Sequence, residues 1–265
     1  MNTKLRTVNS LFGMAFDSVS LDQAANVVLG LSTSNSSHLV VTPNVDHFLR
    51  WQKSHEFRKV YERASLRVLD GMPLVWLARR IADKKTTRVT GVDLLLSVFS
   101  KCEGTGVSIA FVGGSETALS KARDNLMAQF PHLDIYLVDS PTAEDLENTD
   151  YVKSLAVKIS SKNSKVVALC LGSPKQENLF LRLQEEKVSG VMIGAGASVD
   201  FFAGRFARAP KIMRNLGMEW LFRVAQEPRR LFKRYAAGAL KFTPYVVFAL
   251  FAKNANSPGQ GKKES

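Results

Sequence analysis

The sequence predicts an α/β fold, a doubly wound and mostly parallel sheet followed by a basic helical appendage. Three observations predict it. Short apolar runs recur along the chain, each ends in a turn of glycine, proline or small polar residues, and amphipathic helical patterns separate them. Strand, turn and helix repeated in this way build a sheet with helices on both faces.

Taken in order, the runs are HLVV (38–41) before Thr42-Pro43-Asn44 and LRVL (66–69) before Asp70-Gly71-Met72-Pro73. VSIAFV (107–112) meets Gly113-Gly114, and IYLV (135–138) meets Asp139-Ser140-Pro141. KVVALCL (165–171) meets Gly172-Ser173-Pro174, and GVMI (190–193) meets Gly194-Ala195-Gly196. Continuous apolar runs suit strands buried on both faces, the habit of parallel sheets. Helical spacing covers 46–64, 73–82, 92–102, 116–129, 143–161 and 175–186, with Pro73 and Pro174 fit for first-turn positions. Such a Rossmann-like sheet binds its ligands at the carboxyl ends of the strands. Thr42, Asp70, Gly113, Gly172 and Gly194 are therefore expected along one edge.

After Gly204 the rhythm changes. Pro210 opens a predicted helix reaching about Gln226, and Pro228 biases Glu227 away from helix, so a second helix is expected from Pro228 to about Leu240. FTPYVVFALFA (242–252) follows, too short to span a bilayer and suited to an interface. The expected division is a core over 1–204, an appendage over 205–252 and a disordered tail over 253–265.

Charge is concentrated at that end. Of the formal +12, the chain from Arg205 onward carries 13 cations against 3 acids, or +10. An anionic partner is implied: nucleic acid, a lipid surface or a phosphorylated ligand. Cys102 and Cys170 lie in apolar surroundings and read as core thiols of a reducing compartment. The N-terminus carries no signal-peptide pattern, and the expected location is cytoplasmic.

Asp70 is the first candidate for chemistry. A carboxylate between a buried strand and a glycine can act as a general base, or it can cap the helix that starts near Pro73. Gly172-Ser173-Pro174-Lys175-Gln176-Glu177 can offer amides to a phosphate or be a plain strand-to-helix turn. Gly113-Gly114 has the same two readings. Gly194-x-Gly196 lacks the third glycine of the dinucleotide fingerprint, where Val199 stands. The four histidines show no ligand spacing; His47 could face the crevice, and a capping or packed histidine is the preferred reading. No Asp-x-Asp occurs, so no metal site is expected and a diphosphate falls to arginines such as Arg223, Arg230 and Arg234, which could equally form a solvated basic face. A dinucleotide-dependent oxidoreductase and a basic nucleic-acid-binding module are the rival classes.

With these motifs in view, the chain from about Leu11 to Tyr235 resembles the WecG/TagA/CpsF family of bacterial glycosyltransferases. Thr42-x-Asn44, Asp70-Gly71-x-Pro73, Arg88-x-x-Gly91-x-Asp93, Phe111-Val112-Gly113-Gly114 and Gly172-x-Pro174-x-Gln176-Glu177 carry the resemblance in order. Gly194-x-Gly196, Asp200-Phe201, Gly204, Arg208-Ala209-Pro210, Glu219-Trp220, Arg223, Glu227-Pro228, Arg230 and Arg234-Tyr235 complete it. Met218 stands where leucine is more usual, and residues 242–252 run past the aligned part.

The resemblance implies an inverting, metal-independent and cofactor-free transfer from a UDP-sugar to a polyprenyl-diphosphate-linked saccharide in surface polysaccharide synthesis. It implies Asp70 as the base, with Thr42 and Gln176 beside it. Donor and acceptor would meet Asn44, Gly71, Arg88, Asp93, Gly113, Gly114, Gly172, Pro174, Gly194, Arg223, Arg230 and Arg234. The basic end would close the site and hold the enzyme on the anionic inner face of the plasma membrane. No nucleic acid is implied, and a homo-oligomer is left open.

Overall fold

Each of the six apolar runs forms a strand of one six-stranded sheet in the computed structural model, which describes residues 7–252. A hairpin of β1 (Thr7–Leu11) and β2 (Met14–Ser18) comes first, then α1 (Leu21–Ser32), β3 (Ser37–Val41), α2 (Val45–Lys53), α3 (His55–Glu62) and β4 (Leu66–Arg67). Next are α4 (Met72–Ile81), α5 (Gly91–Cys102), β5 (Ser108–Val112), α6 (Glu116–Gln129), β6 (Asp134–Asp139) and α7 (Thr149–Ser161). The chain continues through β7 (Val166–Leu169), α8 (Lys175–Glu185), β8 (Gly190–Gly194) and α9 (Ser198–Phe202). It closes with α10 (Lys211–Asn215), α11 (Glu219–Gln226) and α12 (Pro228–Phe251). The sheet order is β4-β3-β8-β7-β5-β6, with every pair parallel.

Successive strand residues face opposite sides of the sheet. Leu39, Val41, Ala110, Val112, Val167, Leu169 and Met192 enter one core with α2, α4, α7 and α8. Val40, Ile109, Phe111, Val166, Ala168, Val191 and Ile193 enter the other with α1, α5, α6 and α9. Two buried faces explain why the runs are continuously apolar.

Several elements differ from expectation. The helix expected over 46–64 breaks at Ser54, which ends α2 in an extended conformation and caps α3 through its side chain. That over 143–161 starts at Thr149, because Asn148 caps it by accepting from the amides of Asp150 and Tyr151. The one expected from Pro210 to Gln226 is interrupted at Gly217, whose φ of 74° leaves α10 and α11 separate. The break at Glu227 stands as expected, with φ −132° and ψ 60°.

The last helix does not stop near Leu240. It runs through Pro244 to Phe251. A proline inside a helix costs about 3 kcal/mol, and burial on the inner face offsets that. Phe242 and Tyr245 pack on Phe48 at 5.7 and 4.8 Å between ring centroids, Tyr245 also meets Phe12 at 5.0 Å, and Ala249 is fully buried. The outer face leaves Val247, Phe248, Leu250 and Phe251 exposed. Among the described residues no helix is long and apolar enough to cross a membrane. The tail expected over 253–265 lies outside the described residues.

Candidate active site

A cleft of about 1320 Å³ opens at the carboxyl edge of the sheet, over β4, β3, β8 and β7. The loops after these four strands bring Thr42, Asn44, Asp70, Gly71, Gly172, Gln176 and Gly194 to its wall. Arg88 enters ahead of α5, while Arg223 and Arg234 enter from α11 and α12.

Asp70 does not cap α4. That helix is capped by Gly71, at φ 95°, without any side-chain bond. The backbone N–H of Asp70 donates to Pro43 O at 2.8 Å, which ties the β4 loop to the β3 loop and leaves the carboxyl to the cleft. The residue is half-buried, open to the cleft and enclosed behind it. Burial pushes its carboxyl up to about 7; Arg88 opposes the shift, Glu219 adds to it, His47 opposes it and Asp93 adds to it. Burial disfavours the charged form of an acid, so a group that would otherwise be spent near pH 4 is poised at neutrality.

Behind Asp70 runs a buried polar chain. Asn44 caps α2, its Oδ1 accepting from the amides of Asp46 and His47 and standing 2.8 Å from His47 Nδ1. His47 Nε2 faces Glu177 Oε1 at 3.5 Å. Gln176 Nε2 donates to the same Glu177 oxygen at 3.0 Å, and Gln176 Oε1 accepts from Gly196 N at 3.1 Å. Thr42 Oγ1 donates to Gly194 O at 3.2 Å. Burial would raise the Glu177 carboxyl, but His47 and Gln176 outweigh it and hold it below the ordinary range. Gly194 leaves room for this packing, since a Cβ there would stand 2.7 Å from Gln176 Nε2.

The opposite wall is electrostatic. Arg88 pairs with Glu219 of α11 at 3.1 Å, Arg208 with Asp93 at 2.8 Å, Arg223 with Glu227 at 3.3 Å and Arg234 with Asp46 at 3.2 Å. Arg223 is also flanked by the rings of Phe201 and Phe206, 4.6 and 4.5 Å from their centroids.

Four expected residues do not line the cleft. Gly113 and Gly114 are packing glycines: a Cβ on Gly113 would meet Cys170 O at 2.7 Å, and one on Gly114 would meet Val199 Cγ1 at 2.4 Å. They follow β5, which lies beyond the four strands under the cleft. Asp93 accepts from Thr90 Oγ1 at 2.7 Å and holds Arg208, so it acts behind the wall. Pro174 sets the start of α8 between the lining residues Ser173 and Gln176. The side chain of Arg230 lies outside the described residues.

Sequence reasoning left Glu177 and Glu219 without roles, while both readings of His47 hold, since it completes the cap of α2 and lines the cleft. The description "Glycosyl transferase WecG/TagA/CpsF family" belongs to the family model that matches residues 9–256. The chain belongs to the WecG/TagA/CpsF family. It is therefore a glycosyltransferase of cell-surface polysaccharide synthesis. The match extends beyond Tyr235 and takes in the apolar stretch of α12. Family membership calls for sugar donor and acceptor substrates, and one large cleft with a poised carboxyl at its floor suits both.

Proposed function

We propose that this glycosyltransferase moves a sugar from a UDP-sugar to a polyprenyl-diphosphate-linked saccharide, with inversion and without a metal. The observation that supports this most is Asp70, a carboxyl pushed to about 7 at the floor of a cleft whose other wall carries arginines. A base near the working pH accepts a proton efficiently. The acceptor hydroxyl gives its proton to Asp70 as its oxygen bonds to the anomeric carbon from the face opposite UDP. The bond from that carbon to the diphosphate oxygen breaks, and its electron pair leaves with UDP. One displacement inverts the configuration.

Arg88, Arg223 and Arg234 stabilise the departing diphosphate by exchanging their carboxylate partners for phosphate oxygens. Thr42, Asn44 and Gln176 orient the reacting groups. In this reading residues 1–204 form the transferase core and residues 205–252 close the site. The exposed Phe248, Leu250 and Phe251 with the nearby Lys241 dock the enzyme on the inner membrane face.

A panel of UDP-sugars, offered in EDTA with a synthetic polyprenyl-diphosphate saccharide, tests this. One donor should be consumed, the rate should be undiminished by chelator, and the product should carry the opposite anomeric configuration by NMR. Retained configuration, or activity lost in EDTA and restored by Mg²⁺, overturns it.

A further inference from the structure

Two helices line the cleft on the side away from the sheet. α2 presents Asp46, Arg50 and Lys53 to it, and α12 presents Arg234, Gly238 and Lys241. Each set is spaced i, i+4, i+7, which places its members on one helical face. Phe48 and Trp51, on the opposite side of α2, are buried. Gly238 is buried too, and a Cβ on it would stand 3.6 Å from Asp46 Oδ1, so the two faces lie close together. Arg234 takes up the Asp46 carboxylate at 3.2 Å. Among the described residues, no carboxylate pairs with Arg50, Lys53 or Lys241, and all three are exposed. Arg88, Arg208 and Arg223, on the wall nearer Asp70, each hold one. Unmatched charge of one sign along a cleft concentrates ligand of the opposite sign.

These cations stand at a distance from the base. A Cβ on Gly71, the neighbour of Asp70, would lie 3.8 Å from Asn44 Cβ, so α2 starts beside the base. At about 1.5 Å of rise per residue, Arg50 and Lys53 follow roughly 9–14 Å along the helix from Asn44. Beyond Lys241 the same face of α12 turns apolar. Phe248 and Phe251 come at i+7 and i+10 from it and are 59% and 82% exposed. Base, unmatched cations and exposed rings thus follow one another. A lipid-linked saccharide presents its attacking hydroxyl, its diphosphate and its prenyl chain in that order.

We propose that Arg50, Lys53 and Lys241 form the subsite for the acceptor's diphosphate, apart from the arginines that meet UDP. Phe248 and Phe251 receive the start of the prenyl chain. This rests on the reading of the acceptor as lipid-linked. The Arg50 guanidinium can fork two phosphate oxygens, and the lysines add point charges. Donor and acceptor diphosphates are then bound at once, each by its own cations, with the acceptor sugar between them at Asp70.

The test measures binding and needs no turnover. Farnesyl diphosphate is titrated calorimetrically, without lipid, into the full chain saturated with UDP, and it should bind while UDP stays bound. In Arg50→Gln/Lys53→Gln its affinity should fall roughly tenfold or more, with UDP affinity within about twofold of wild type. Lys241→Gln should weaken it in the same sense. The three side chains are exposed, so the variants keep the fold. Farnesyl diphosphate that displaces UDP, fails to bind, or binds either variant as tightly as wild type overturns the proposal. Phosphatidylglycerol vesicles test the other source of phosphate. Loss of vesicle binding in Arg50→Gln/Lys53→Gln, with farnesyl diphosphate affinity kept, assigns the cations to a membrane headgroup and also overturns it. A chain that binds farnesyl diphosphate through these residues but binds no UDP upholds the subsite and strikes the donor reading instead.

Discussion

The two walls of the cleft are built by different physics. On the sheet side, Thr42, Gln176 and Glu177 are buried and hydrogen-bonded, and Gln176 joins α8 to the loop after β8. On the side of α10–α12, the contributions are arginines paired with carboxylates, and α11 buries none of its residues. Buried hydrogen bonds fix geometry because leaving one unmade is expensive. Ion pairs at a partly exposed cleft exchange partners at little cost. The proposed base, Asp70, therefore lies beside the cross-bonded wall, and the arginines proposed to meet the leaving group lie on the wall held by exchangeable ion pairs.

Substitutions on each wall should separate these behaviours. Gln176→Ala strips a partner from Glu177 and from Gly196 N–H, so it should destabilise the fold by roughly 1–3 kcal/mol and lower turnover as well. A calorimetric scan gives the first quantity; an unchanged Tm would mean the sheet-side wall is not rigidly bonded. Arg234→Ala breaks a half-exposed pair with Asp46 and should change stability by only about 0–1 kcal/mol. Its effect should appear in a raised KM for the UDP-sugar and a weaker salt dependence of that KM. Equal stability losses in the two variants would erase the distinction between the walls.

Much of this was legible in the sequence where burial is continuous. The inner strands β3, β5, β7 and β8 showed as apolar runs because each packs on two faces. The loop positions Thr42, Asp70, Gly172 and Gly194 followed from strand ends alone. β1 was hidden because TVNSL is largely exposed and polar, and only the Phe12-Gly13 turn marked the hairpin. The helix end expected near Leu240 failed, since α12 runs on through Pro244, a local breaker overridden by tertiary packing of Phe242 and Tyr245 on Phe48. Gly113-Gly114 looks like a phosphate loop in sequence, and only the closeness of Val199 shows it to be packing. Glu177 was legible only as a member of the Gly172-x-Pro174-x-Gln176-Glu177 motif; its burial and its approach to His47, far away in sequence, appear only in the fold.

The central claim, that Asp70 is a base held near neutrality by burial, is tested most directly by Asp70→Asn across pH. The folded carboxyl sits at about 7 against an ordinary 3.8, so its contribution to stability is intact below about pH 4 and is lost as pH rises through 7. The variant escapes that loss. Its Tm relative to wild type should therefore be higher at pH 8 than at pH 5, while turnover falls roughly 10²–10⁴-fold and UDP binding persists. A folded Asp70→Asn enzyme within about threefold of wild-type turnover, with no pH-dependent gain in Tm, would contradict the account.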